Sequence, residues 1–169
     1  MKYLLCWVTL LALLTLPGFA QAHKQSDSYL SITLNAGSSQ LQGQWDIALR
    51  DLDFAIGLDA NADDRITWGE VKAQRAAIES YALGHLRLAS MQGDRRDDCA
   101  LQAQQMLIDE HVDGAYAVLR FSASCHAAPR QLAIDYALLF AVDPNHRGLL
   151  DLRTDSFTRP PCCRWRLLR

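Results

Sequence analysis

The sequence predicts an α+β protein, mainly an antiparallel β-sandwich of about seven strands carrying one loop-helix insertion. Three observations lead there. Short runs with an apolar residue at every second position recur along the chain, as in Leu30-Ser31-Ile32-Thr33-Leu34, which is the period of half-buried strands. Turn residues punctuate these runs, above all Asp113-Gly114 between two alternating stretches, a strong hairpin signal. One segment, from Trp68 to about Leu83, instead places Trp68, Val71, Ile78 and Tyr81 or Ala82 at helical spacing.

The chain has 169 residues, of which 50% are hydrophobic, enough for one domain with a sizeable core. A net charge of −2 without a basic face argues against nucleic acid as a partner. Residues 1–22 read as a secretory signal peptide: Lys2, an apolar run from Tyr3 to Leu16, a Pro-Gly break and the small residues of Ala20-Gln21-Ala22. Cleavage after Ala22 sends the product to a periplasmic or secreted, oxidising location. The new amino-terminal His23 has the amine and imidazole of a copper chelate, but its plain reading is an exposed first residue on a loose arm.

From there the domain runs over residues 23–153. Leu30, Ile32 and Leu34 face one way in a first strand, and the turn Asn35 to Ser39 leads to a second in which Leu41, Gly43, Trp45, Ile47 and Leu49 share a face. The two pair as a hairpin. Asp51 to Leu58 forms a short helix, and a long helix follows from Trp68. Leu86 and Leu88 open a third strand, and Arg95 to Asp98 is a charged turn. Leu101 to Asp109 and Ala115 to Ser122 flank the hairpin turn His111 to Gly114. The most regular strand holds Leu132, Ile134, Tyr136, Leu138, Phe140 and Val142, and its mostly apolar second face marks it as central. Asp143 to Gly148 is a turn by composition, in which His146 and Arg147 are either solvated or available as ligands and anion binders. Leu149 to Arg153 is a last short strand.

Between the two helices lies Asp59-Ala60-Asn61-Ala62-Asp63-Asp64-Arg65-Ile66-Thr67-Trp68-Gly69-Glu70. A calcium ion takes about six to eight oxygens, and a twelve-residue loop supplies them from its first, third, fifth, seventh, ninth and twelfth places. Those places hold Asp59, Asn61, Asp63, Arg65 through its carbonyl, Thr67 through a water, and Glu70 through both carboxylate oxygens. Ile66 anchors the loop on the core. Thr67 followed three residues later by Glu70 is also a capping box that starts the exit helix. The bend after the fifth place normally carries Gly, and here carries Asp64, so that a non-glycine residue takes positive φ at a cost of about 1 kcal/mol. The loop resembles an EF-hand, without a second loop beside it. A lone loop points to a structural rather than a sensing use of Ca2+.

Removal of Cys6 with the signal peptide leaves Cys99, Cys125, Cys162 and Cys163. Folding the chain about the 111–114 turn brings Cys99 nearly opposite Cys125, one residue out of register, so a disulfide is expected there. Residues 154–169 are basic and rich in Pro and Cys without periodicity, and read as a disordered tail.

Several stretches together carry a family resemblance: Ala22-His23-Lys24 to Tyr29-Leu30, Gly43 to Asp53, the loop ending Ile66-Thr67-Trp68-Gly69-Glu70, Asp113 to Phe121, and Asp143 to Leu150. Across residues 22 to 153 the chain resembles the extracytoplasmic front domain of HupE/UreJ-like bacterial membrane proteins. The resemblance implies an exported sensing or assembly domain ahead of a helical membrane bundle, in a family linked to nickel or cobalt uptake and to hydrogenase or urease maturation. The bundle expected after Leu152 is not present. Two functions follow. The first is an exported, non-catalytic calcium-binding domain with the ion in a mainly structural role. The second is a truncated interaction or sensing domain that works beside a membrane partner. Catalysis by His111 with Asp109, Glu110 or Asp113 is the weakest reading, because a hairpin tip does not exclude water.

Overall fold

The computed structural model describes residues 26–154 and the strand Arg164–Leu167. The expected signal peptide, His23, Cys162 and Cys163 lie outside the described residues. Two sheets form an α+β sandwich rich in antiparallel pairs. The first has the order β5-β6-β2-β1-β8 and the second β4-β3-β7-β9. Strands β1 (Asp27–Leu34) and β2 (Gln40–Ala48) pair antiparallel as the predicted hairpin. They are followed by helices α1 (Leu49–Ile56), α2 (Trp68–Ala73) and α3 (Arg75–Gly84). The later strands are β3 (Leu86–Gln92), β4 (Arg95–Asp98), β5 (Ala100–His111), β6 (Gly114–Ser124), β7 (Gln131–Tyr136), β8 (Arg147–Thr154) and β9 (Arg164–Leu167).

The core lies between the sheets. Leu30, Ile32, Leu41, Trp45, Ile47, Leu119 and Phe121 come from the first sheet, Leu86, Leu88, Leu132 and Ile134 from the second, and all are buried. Alternation drives this, because residues two apart share a face and only one face of each outer strand meets the core. Gly43 sits opposite Phe121 in the β2–β6 register, and a Cβ at position 43 would run into the Phe121 ring. Since Phe121 is itself buried, Gly43→Ala is expected to destabilise the fold by about 2 kcal/mol, measured by urea unfolding. An unchanged midpoint would mean that the ring has room to move.

Several expectations are corrected. The strand predicted over residues 132–142 ends at Tyr136. Leu138 and Leu139, both buried, lie beyond it in a turn that packs into the core. Leu139 takes φ 62°, and its carbonyl accepts from the N–H groups of Val142 and Asp143 in a tight turn. The strand is nevertheless central: β7 lies between β3 and β9, with Leu132 through Tyr136 buried on both faces. Its buried Asp135 carboxylate meets Arg96 at 2.6 Å.

The charged turn Arg95 to Asp98 is instead an edge strand, β4. The predicted long helix breaks at Gln74 into α2 and α3, and Trp68, expected on its apolar side, is exposed. In the tail expected to be disordered, Arg164–Leu167 pairs in parallel with β7. Strand β8 also pairs in parallel, beside β1. The bidentate ion pair of Arg147 with Asp27, at 2.7 Å for both bonds, fixes where that pairing begins.

The predicted disulfide forms. A bulge at Gln104 between β5 and β6 shifts the register by one residue. That shift absorbs the single residue of mismatch and leaves Cys99 bonded to Cys125.

Candidate metal centre

Helix α1 delivers the chain to the acidic loop, and its end is shaped by two residues. Gly57 takes φ 69° and donates to the Asp53 carbonyl at 2.7 Å, the left-handed stop that glycine makes cheaply. The Asp53 carboxylate then accepts from the N–H groups of Leu58 at 2.7 Å and Asp59 at 2.8 Å, orienting the first residue of the loop. Sequence reasoning missed Asp53. A carboxylate one turn before a helix-ending glycine was the available signal.

Inside the loop, the short side chains bend back onto the backbone. Asp59 accepts from Asp63 N–H through Oδ1 at 3.3 Å and from Asp64 N–H through Oδ2 at 2.8 Å. Asn61 Oδ1 accepts from Asp63 N–H at 3.0 Å, and Asp63 Oδ1 accepts from Arg65 N–H at 3.0 Å. Asp64 takes φ 59°, as a residue at the glycine place of such a loop must. Ala62 also takes positive φ, at 56°, which was not anticipated.

The loop closes on the exit helix through the predicted capping box. Thr67 Oγ1 accepts from Glu70 N–H at 3.4 Å, while Glu70 Oε2 accepts from Thr67 N–H and from its hydroxyl, each at 2.8 Å. Glu70 Oε1 reaches back to Ala60 N–H at 3.2 Å, so one carboxylate joins the start of the loop to its end. These bonds, led by that from the Thr67 backbone, hold the Glu70 carboxyl below the usual range. Ile66 is partly buried against the core, as expected.

The donor set is all oxygen, the chemistry that a hard cation prefers. Asp59, Asn61, Asp63, Arg65, Thr67 and Glu70 therefore fit calcium by donor type and order. Among the described residues, no three acidic, His or Cys side chains gather closely enough to hold a metal, so the three carboxylates stand in sequence without converging.

The other polar candidates have different roles from those expected. The carboxylate that His111 meets is on another strand, β2. His111 Nε2 lies 3.4 Å from Asp46 Oδ2, and its ring stacks on Tyr116 with centroids 4.0 Å apart. Tyr116 donates to Asp113 at 2.8 Å, and burial followed by that acceptor pushes its hydroxyl pKa up. His146 is neither solvated nor free to ligate: it is 4% exposed, with Nδ1 2.6 Å from Ser26 Oγ and Nε2 2.6 Å from Tyr136 Oη. Arg147 is held by Asp27. Among the described residues, no helix is long and apolar enough to cross a membrane. Neither the known protein-family models nor the curated proteins include a match to this chain.

Proposed function

We propose that this protein is an exported, non-catalytic domain that binds one calcium ion in the loop from Asp59 to Glu70, with the ion serving mainly to stabilise the fold. The observation that carries the reading is the sixth loop position: Asp64 stands at φ 59° with its N–H bonded to Asp59, a bend unfavourable for a non-glycine residue and one that a twelve-residue calcium loop needs. The bonds that bend the loop use one lone pair on each accepting oxygen of Asp59, Asn61 and Asp63 and leave others for a cation, and Glu70 Oε1 likewise accepts one bond while Oε2 accepts two. Three carboxylates, Asp59, Asp63 and Glu70, would hold the ion, with Asn61, the Arg65 carbonyl and Thr67 completing the set. Bound there, calcium supplies the positive charge that lets these carboxylates approach one another. The Cys99–Cys125 disulfide agrees with an oxidising compartment such as the periplasm or the cell exterior.

A second reading is an interaction or sensing domain beside a membrane partner, as the HupE/UreJ resemblance implies. It is favoured by Phe54 on α1 and Trp68 on α2, which are 74% and 54% exposed on the two helices flanking the loop.

Calorimetric titration of the disulfide-bonded domain with calcium, and separately with magnesium, tests the first reading. The expected result is one site per chain with Kd in the micromolar to millimolar range and weaker magnesium binding. No saturable heat with calcium up to about ten millimolar would overturn it and leave the interaction reading in front.

A further inference from the structure

A second polar system lies in the core and shares none of its hydrogen bonds with the loop. Six side chains from six places in the fold form one continuous hydrogen-bonded line. Trp45 Nε1 on β2 is 3.2 Å from Ser28 Oγ on β1, and Ser28 Oγ is 2.7 Å from Tyr136 Oη on β7. Tyr136 Oη is 2.6 Å from His146 Nε2 in the turn before β8. His146 Nδ1 is 2.6 Å from Ser26 Oγ just ahead of β1, which is 2.8 Å from Asp51 Oδ2 on α1. Ser28, Tyr136, His146 and Ser26 are all buried.

The ends fix the direction of every proton between them. The indole N–H of Trp45 can only donate, and the Asp51 carboxylate can only accept. Ser26 gives its one hydrogen to Asp51, so it must accept from His146, and Nδ1 carries the ring hydrogen. Nε2 therefore holds a lone pair and accepts from Tyr136. With its hydrogen used there, the Tyr136 oxygen accepts from Ser28, which accepts in turn from Trp45. A neutral imidazole in the Nδ1–H form completes the line with no group left over.

We propose that this line is an acid-released latch between the second sheet and β1, closed by neutral His146 and opened by its protonation. A proton on Nε2 faces the Tyr136 oxygen and forces the phenol hydrogen round toward Ser28. Ser28 would then accept from both Tyr136 and Trp45, and its own hydrogen would have no acceptor at a fully buried position. The line has one self-consistent protonation state, and acid removes it.

The charges around the ring come from every side. Asp51 on α1 is paired with Arg50, Asp27 on β1 is paired with Arg147, Asp143 lies in the same turn, and the Phe140 edge packs against the ring. The three carboxylates favour the imidazolium, yet burial outweighs them and lowers the His146 pKa. The sign follows. With the folded pKa below the unfolded value of about 6.5, the unfolded chain takes up the proton first. The stabilisation is complete well above pH 6.5 and is lost as pH falls through about 6.5 toward the folded value, at a rate below about tenfold in the folding equilibrium per pH unit.

The test is run in chelator, which makes it independent of the calcium loop. Ring nitrogen NMR of the wild-type domain at pH 7.5 is expected to show His146 as the Nδ1–H tautomer, with its titration displaced below that of an exposed histidine. Urea unfolding from pH 6.5 to 5.5 is expected to weaken the wild type more than His146→Asn, by up to about fivefold in the folding equilibrium, because the Asn amide can still donate to Ser26 but does not titrate. Hydrogen exchange of the β1 amides around Ser28, corrected for intrinsic rate, is expected to accelerate in acid in the wild type alone. An Nε2–H tautomer, or a His146 ring that titrates at an ordinary pKa, overturns the latch even if His146→Asn fails to fold.

Discussion

Calcium at about a hundredfold excess over its Kd is expected to raise the unfolding free energy of the domain by about 2.7 kcal/mol, and Glu70→Gln is expected to abolish most of that gain. The first part follows from linkage, since an ion that binds only the folded loop shifts the equilibrium toward it. The second follows from what Glu70 does. Its two oxygens hold both ends of the loop, Oε1 at Ala60 N–H and Oε2 at Thr67. The amide of Gln can keep one such acceptor but replaces the other by a donor, and it removes one of the three charges proposed to hold the ion. Thermal unfolding of both proteins with excess calcium and with chelator measures the effect. In chelator, Glu70→Gln should differ little from the wild type, because Glu70 is only partly buried at the surface and its capping bonds are partly retained. A wild-type midpoint that calcium does not move would remove calcium-linked stability from the account.

The parts of this fold that were legible in the sequence were those decided by local chemistry. The β1–β2 hairpin and the 111–114 turn follow from alternation and turn residues, and Thr67 with Glu70 announced the start of α2. The positive φ of Asp64 followed from its place in the loop. Features set by distant partners were not legible. Alternation says which face of a strand is buried and not which strand lies beside it, so the parallel pairing of β8 with β1 left no trace. A buried turn such as Leu138-Leu139 needs apolar residues as much as a strand does, and was read as one. The edge strand β4 has the opposite problem: Arg95 to Asp98 satisfies itself with ion pairs and buries too little to show a period. His146 looked like a turn residue because Ser26 and Tyr136, the groups that bury it, are 120 and 10 residues away.

Replacing Cys99 and Cys125 together by Ser is expected to cost about 3.5 kcal/mol, or about 10 °C in Tm for a domain of this size. The bond closes a span of 26 residues that contains the whole β5–β6 hairpin, and its loss frees the unfolded chain to explore conformations that the link forbids. The folded state has reasons of its own to feel the change. Cys99 N–H donates to the Leu88 carbonyl on β3 at 2.8 Å, and Cys125 N–H donates to the Ser39 carbonyl at the start of β2 at 2.9 Å. The disulfide therefore links a residue bonded to the second sheet with one bonded to the first, at the end of the sandwich where the chain crosses between them. Both cysteines are buried, so two serine hydroxyls there would also need partners. Unfolding of the oxidised wild type, the reduced wild type and the double variant separates these contributions. Reduction alone should account for most of the loss, and the double variant should fall slightly below it. A double variant within about 2 °C of the oxidised protein would show that β5–β6 pairing already restricts the unfolded chain, as residual structure in denatured ensembles can. In that case, oxidation of the cysteine pair would add little to a sandwich held by its core.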